Sequence, residues 1–165
     1  VERAQTSTAV LHKHVEKPSK SKKVINKMAT ISTGMSPIRM AITILLQHPD
    51  LHKSVGDFDK IATLSRPGIV ILTELLETLH QQPHLNTAAL LERAREADYA
   101  DHLMKLAMQT LSLSAKELEH ELVGAIEQLQ QEAQNSRHEV LMAKGLSKLT
   151  KEEREEIQQL EIRMR

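Results

Sequence analysis

The chain has 165 residues, with 22 Lys and Arg balanced by 22 Asp and Glu, so its formal charge is zero when histidine is neutral. It holds no Cys, no Trp, one Tyr and one Phe. Disulfides and Cys-based zinc sites are therefore excluded, and no apolar run approaches the length of a membrane span. The core must be built from Leu, Ile, Val, Ala and Met, which suits helix-on-helix packing better than a sheet.

Few segments alternate with period two, so the expected fold class is all-α. A chain of this size can bury about two thirds of its unfolded surface, enough for one domain plus an appendage. No signal peptide is recognisable. The chain begins at Val1 rather than Met, which points to a piece of a longer protein, and a cytoplasmic setting is the simplest expectation.

Charge is unevenly spread. Residues 1–28 carry Arg3, Lys13, Lys17, Lys20, Lys22, Lys23 and Lys27 against Glu2 and Glu16, a net of +5. Without interleaved aromatic residues, such lysines give only salt-sensitive, nonspecific contact with nucleic acid. Residues 1–33 therefore read as a linker, and direct nucleic-acid binding is expected to be weak or absent. A helical bundle is expected over 34–132 and a helical hairpin over 133–165.

Order is predicted from Ser36-Pro37, an N-cap followed by proline at the first helical position. The helix Ile38–His48 is apolar over most of its surface and should be central. Shorter helical pieces are predicted from Pro49 to Val55 and from Phe58 to Leu64. Ser65-Arg66-Pro67 should start the next helix, which carries Ile69, Val70, Leu72, Leu75, Leu76 and Leu79. Asn86 or Thr87 should cap a short helix, and Asp98 or a neighbour should open another. Ser114 caps the longest helix, Ala115 to about Lys144, with Leu118, Leu122, Ile126, Leu129 and Ala133 as its stripe. That stripe thins at Gln134–Arg137 and resumes at Val140 and Leu141.

Gly145 stops this helix. Thr150 starts the last one, and Glu153 three residues later completes a capping box. Ile157, Leu160 and Met164 fall at helical spacing there, with Ile162 slightly off the stripe. Such a terminal hairpin has little nearby to bury its apolar face, so the face is expected to be displayed to a partner.

The constellations that carry catalysis are missing. There is no Gly-rich phosphate loop and no nucleophile elbow. Glu152-Glu153 and Glu155-Glu156 lie on a strongly polar helix and read as solvated charges. His48/His52 and His80/His84 have the i,i+4 spacing of a helical zinc pair. Pro49 and Pro83 interrupt them, so neither should lie on one continuous helix, and no cofactor or metal is expected.

The run Ile38-Arg-Met-Ala-Ile-Thr-Ile-Leu-Leu-Gln-His-Pro-Asp-Leu51 resembles the opening helix of the C-terminal domain of bacterial DnaG-type primases. Phe58-Asp-Lys-Ile61, Pro67-Gly68, Leu85-Asn-Thr-Ala-Ala-Leu-Leu-Glu92, Leu103-Met-Lys-Leu-Ala-Met108 and Leu149-Thr-Lys-Glu-Glu-Arg154 follow in the family's order. The resemblance covers residues 36–165. It implies a non-catalytic helicase-binding domain that couples primer synthesis to the replication fork. It further implies that the hairpin docks on the N-terminal region of the hexameric replicative helicase, through Leu146, Leu149, Ile157, Leu160 and Met164. The family's bundle also holds the acidic, hydrophobic tail of single-strand DNA-binding protein. The matching positions are Arg39 and Lys105 beside Ile38, Ile42 and Leu106. A further basic position of that pocket falls near Gly34 here, leaving Lys53 or Arg66 as substitutes. The competing readings are a small nucleic-acid-binding helical protein using residues 1–28, and an enzyme fragment with an unrecognised site.

Overall fold

A computed structural model describes residues 34–145 and 147–163. The expected linker 1–33 and two expected contact residues, Leu146 and Met164, lie outside the described residues. Among those described, the fold is all-α, with six α-helices and two short 3₁₀ segments. The helices are α1 (Pro37–Gln47), α2 (Ile69–Gln81), α3 (Thr87–Arg93), α4 (Ala100–Ala107), α5 (Ala115–Lys144) and α6 (Lys151–Arg163).

Helix α1 forms where the sequence places it. The Ser36 side chain accepts a hydrogen bond from the Arg39 backbone N–H at 3.3 Å, and Pro37 occupies the first turn. Ala41, Ile44, Leu45 and Leu46 are wholly buried. The helix packs on α2, α3, α4 and α5, so it is the centre of the bundle. The Thr43 hydroxyl is buried without cost to the core because it donates to the Arg39 carbonyl at 2.8 Å.

The two pieces after α1, Pro49–Ser54 and Asp59–Thr63, are 3₁₀ rather than α. They are too short to sustain regular α hydrogen bonding, and tighter i→i+3 bonding is the usual result in such pieces. Helix α2 also starts later than expected. Gly68, at φ 87°, occupies the cap position, and Ser65-Arg66-Pro67 forms the approach. A side chain at Gly68 would put its Cβ 3.0 Å from Ile38 Cγ2. Glycine is therefore required both by backbone conformation and by the closeness of α1. Asn86 caps α3 through the Ala89 N–H at 2.9 Å. Helix α4 opens at Asp98's neighbour Tyr99, which makes no side-chain capping bond.

Helix α5 is one continuous helix of 30 residues serving two separate cores. Its N-terminus carries a full capping box, Ser114 with Glu117. Leu118, Leu122, Ala125, Ile126, Leu129 and Ala133 join the bundle core. No residue from Gln134 to Val140 is buried, and then Leu141 enters a second, smaller cluster. Arg66 pairs with Glu132 at 2.7 Å, and Gln130 donates to the Asp57 carbonyl, so the loops around α2 are tied to α5.

Candidate interaction surfaces

The hairpin is built from a stop, a tight connector and a cap. Gly145, at φ 75°, ends α5 and donates to the Met142 carbonyl at 3.1 Å. Thr150 and Glu153 then form the expected capping box. The Thr150 N–H donates to Glu153 Oε2 at 3.1 Å, and the Glu153 N–H donates to Thr150 Oγ1 at 3.2 Å.

Leu149, Ile157 and Leu160 are buried, and Leu141 of α5 is wholly buried among them. This corrects the expectation that the stripe is displayed to a partner. An isolated helix of α6's length is marginal in water, so its apolar face closes on the nearest apolar residue, which α5 supplies. What the two helices display is other apolar side chains outside that seam. Val140 and Met142 flank Leu141 and are about half exposed, and Ile162 is 73% exposed. Ile162 lies two residues beyond Leu160, about 200° around the helix. Val140 was read as part of the α5 stripe and Ile162 as slightly off that of α6, whereas both are exposed. Met142 was not singled out, and its only signal was its adjacency to Leu141.

Charge reinforces the seam. Arg137 grips Glu156 with two bonds of 2.9 Å, and Lys144 reaches Glu153. The Arg137 hydrogen bond holds the Glu156 carboxyl below the usual glutamate range. Lys144 first, and then the Thr150 backbone, do the same for Glu153. His138 Nε2 lies 3.8 Å from Glu161, beyond hydrogen-bond reach.

The second expected surface lies on the bundle. Arg39 and Lys105 are both exposed, and neither forms an ion pair among the described residues; Asp101 does not neutralise Arg39. Gln47 donates to the carbonyls of Leu106 at 3.0 Å and Gln109 at 2.7 Å, while Gln109 reaches Met35 Sδ at 3.5 Å. Arg39, Thr43 and Gln47 recur every four residues, so they share one flank of α1. Lys105 stands on the last turn of α4, and Gln109 follows beyond its end. The bonds of Gln47 thus join α1, which carries Arg39, to the end of α4, which carries Lys105. The apolar residues named with them are placed differently. Ile38, Ile42 and Leu106 are buried, Ile38 and Ile42 beneath Gly68. Half-buried Met35 meets Gln109, and Met104 and Met108 at the end of α4 are exposed.

The histidines pair across the spacing read from sequence. His52, buried, and His80 stand edge to face with ring centroids 5.3 Å apart, and Phe58 lies 5.3 Å from His80. Each histidine Nδ1 meets a backbone carbonyl, Pro49 at 2.6 Å and Leu76 at 2.9 Å. These contacts fasten the first 3₁₀ segment to α2.

A bundle that carries an appended helical hairpin, with surfaces of charge and methionine, defines an all-α protein-interaction domain. Comparison with known proteins narrows this class. The family model for the DnaB-binding part of DNA primase DnaG matches residues 38–160. A DNA primase of Legionella pneumophila is 32% identical over 130 residues, covering 76% of this chain and 22% of the relative. One from Pasteurella multocida is 26% identical over 129 residues, covering 78% and 22%. The crystal structure of the DnaG primase C-terminal domain from Vibrio cholerae superposes with a TM-score of 0.67 at 28% identity. That match covers 76% of this chain and 96% of the Vibrio domain.

The chain belongs to the DnaB-binding domain family of DnaG-type DNA primases, a non-catalytic part of the primase. It spans 22% of the length of the first two curated relatives. No helix among the described residues is long and apolar enough to cross a membrane.

Proposed function

We propose that this chain fastens a DnaG-type primase to the hexameric replicative helicase, and so couples primer synthesis to the replication fork in the cytoplasm. The observation that carries the reading is the terminal hairpin. It has its own core, its own caps and three exposed apolar side chains in a family defined by helicase binding. The units proposed are the bundle, 34–132, and the hairpin, 133–165. Leu146 and Met164 remain proposed contacts. Leu149, Ile157 and Leu160 contribute by holding the hairpin in shape, and Val140, Met142 and Ile162 offer the apolar surface.

The test is calorimetric titration of the helicase N-terminal region. Deleting residues 146–165 should abolish binding. Ile162→Glu should weaken it by about 1–3 kcal/mol, the range for an interface anchor, and leave thermal stability unchanged. Unaltered affinity after the deletion would overturn the reading.

The same domain is proposed to hold the acidic tail of single-strand DNA-binding protein along the α1–α4 seam. Support comes from two exposed cations, on helices that pack against each other, that lack an ion pair among the described residues. An arginine can grip a terminal carboxylate with two bonds. Arg39→Ala and Lys105→Ala should each weaken tail binding and leave helicase binding intact. Binding should also fall with salt, because exposed charges are screened. Tail affinity that survives the double substitution would remove this site.

A further inference from the structure

A groove of about 450 Å³ opens on the side of the bundle formed by α2, α3 and α4, separate from both surfaces above. Leu46, Leu75, Leu90 and Leu103 form its floor. Half-buried Ile71, Ala94 and Tyr99 form apolar parts of its walls. Its rim is acidic. Glu74 and Glu77 stand on the α2 side, and the Tyr99 hydroxyl donates to Glu74 Oε2 at 2.9 Å. Glu77 makes no ion pair among the described residues. The one cation of the lining, Arg93, donates to Gln82 at 3.0 Å.

This part of the bundle is acidic beyond the rim. Residues 68–104 hold Glu74, Glu77, Glu92, Glu96, Asp98 and Asp101 against Arg93 and Arg95, a net of −4. An apolar floor under an acidic rim suits a peptide that carries both lysines and aliphatic side chains. The chain itself contains one. Lys20-Ser-Lys-Lys-Val-Ile-Asn-Lys-Met28 carries four lysines, no acid, and Val24, Ile25 and Met28.

We propose that the groove between α2 and α3–α4 docks the segment Lys20–Met28 of this same chain. Glu74 and Glu77 offer its lysines opposite charge, and the leucine floor offers Val24, Ile25 or Met28 an apolar seat. Length permits it. Lys23 is eleven residues before Gly34, a reach of up to about 36 Å at 3.3 Å per residue. Helix α1, which leads from Gly34 towards Leu46 in the groove floor, is only about 16 Å long. Docking would fix the direction from which the preceding polypeptide enters the bundle. It would also cover the side of the domain that the helicase and tail surfaces leave open.

The chain is suited to a direct test because it has no cysteine and one tyrosine. Ser21→Cys in the full chain accepts a single nitroxide label. Amide resonances of Leu90, Ala94 and Tyr99 should broaden, while those of α6 should not. The broadening should be lost in about 1 M NaCl, where the screening length is about 3 Å, and in Glu77→Lys, an exposed change that leaves the core intact. Absence of broadening at the groove, or broadening that is insensitive to Glu77→Lys, would overturn the proposal. A mixed sample, with label and isotope on different molecules, gives the third outcome. Groove broadening that appears there with equal strength would mean that a second copy supplies the segment, and would overturn docking within one chain.

Discussion

Among the described residues of the bundle, 24 buried apolar side chains close around α1, and Glu121 is the one acidic side chain buried with them. Among those of the hairpin, four buried apolar residues share the seam with Arg137–Glu156 and Lys144–Glu153. Burying a leucine contributes about 1.5–3 kcal/mol, whereas an exposed ion pair contributes about 0–1 kcal/mol. The bundle is therefore stabilised in bulk, and the hairpin by a few side chains that each matter. A small core is easily opened, which suits the element proposed to meet a partner, since binding surfaces draw on the less stable parts of a fold.

The strongest way to break this comparison is to remove one leucine from each core. Leu122→Ala, in the bundle, should cost about 2–5 kcal/mol and lower the midpoint of urea unfolding for the whole bundle. Leu141→Ala should cost towards the low end of that range, and it should act locally. Hydrogen exchange would then show α6 amides losing protection while α1 amides keep theirs. Equal loss in α1 would mean that the two cores unfold as one.

Acidification should sharpen the contrast. Glu153 and Glu156 have folded pKa values below that of an ordinary glutamate. Their contribution is thus complete above the ordinary glutamate range and is lost as pH falls through the lower, folded values. As pH falls below the ordinary glutamate value of about 4.3, α6 should lose exchange protection before α1 does. Arg137→Ala should remove part of that pH dependence and cost no more than about 1 kcal/mol, because the pair is partly exposed. The smallest effect is a gain. Gly124 lies inside α5, and an added Cβ there meets nothing within 4 Å. Gly124→Ala should stabilise by about 0.4–1 kcal/mol, readable as a raised Tm.

Much of this architecture is legible in the sequence, because local chemistry decides it. Ser36-Pro37, Asn86, Ser114, Gly145 and the Thr150–Glu153 box mark helix ends by satisfying backbone groups nearby. The start of α2 was not legible, since Gly68 is dictated by the closeness of Ile38, a contact across 30 residues. The pitch of the 3₁₀ segments was hidden too, as short apolar pieces bounded by proline carry little periodicity. At the hairpin, spacing revealed an apolar stripe but not what it would meet, and Leu141 answered that from the other helix. Arg39 stood out as a charge in an apolar run. Whether it shares a surface with Lys105 depends on how α4 lies on α1, which local sequence does not encode. Ile38, Ile42 and Leu106 were read as lining such a surface, but they are consumed by the core.

The uninterrupted α5 has a consequence for angular phase. At about 100° per residue, the eight steps from Ala133 to Leu141 amount to two turns and about 80° more. Helix α6 therefore leans on a side of α5 roughly a quarter turn away from the bundle. The stretch 134–140 acts as a phase-setting spacer, and its length matters more than the identity of its exposed side chains. Removing one residue there would swing α6 by about 100°, whereas removing seven would return it to within about 20° of its present bearing.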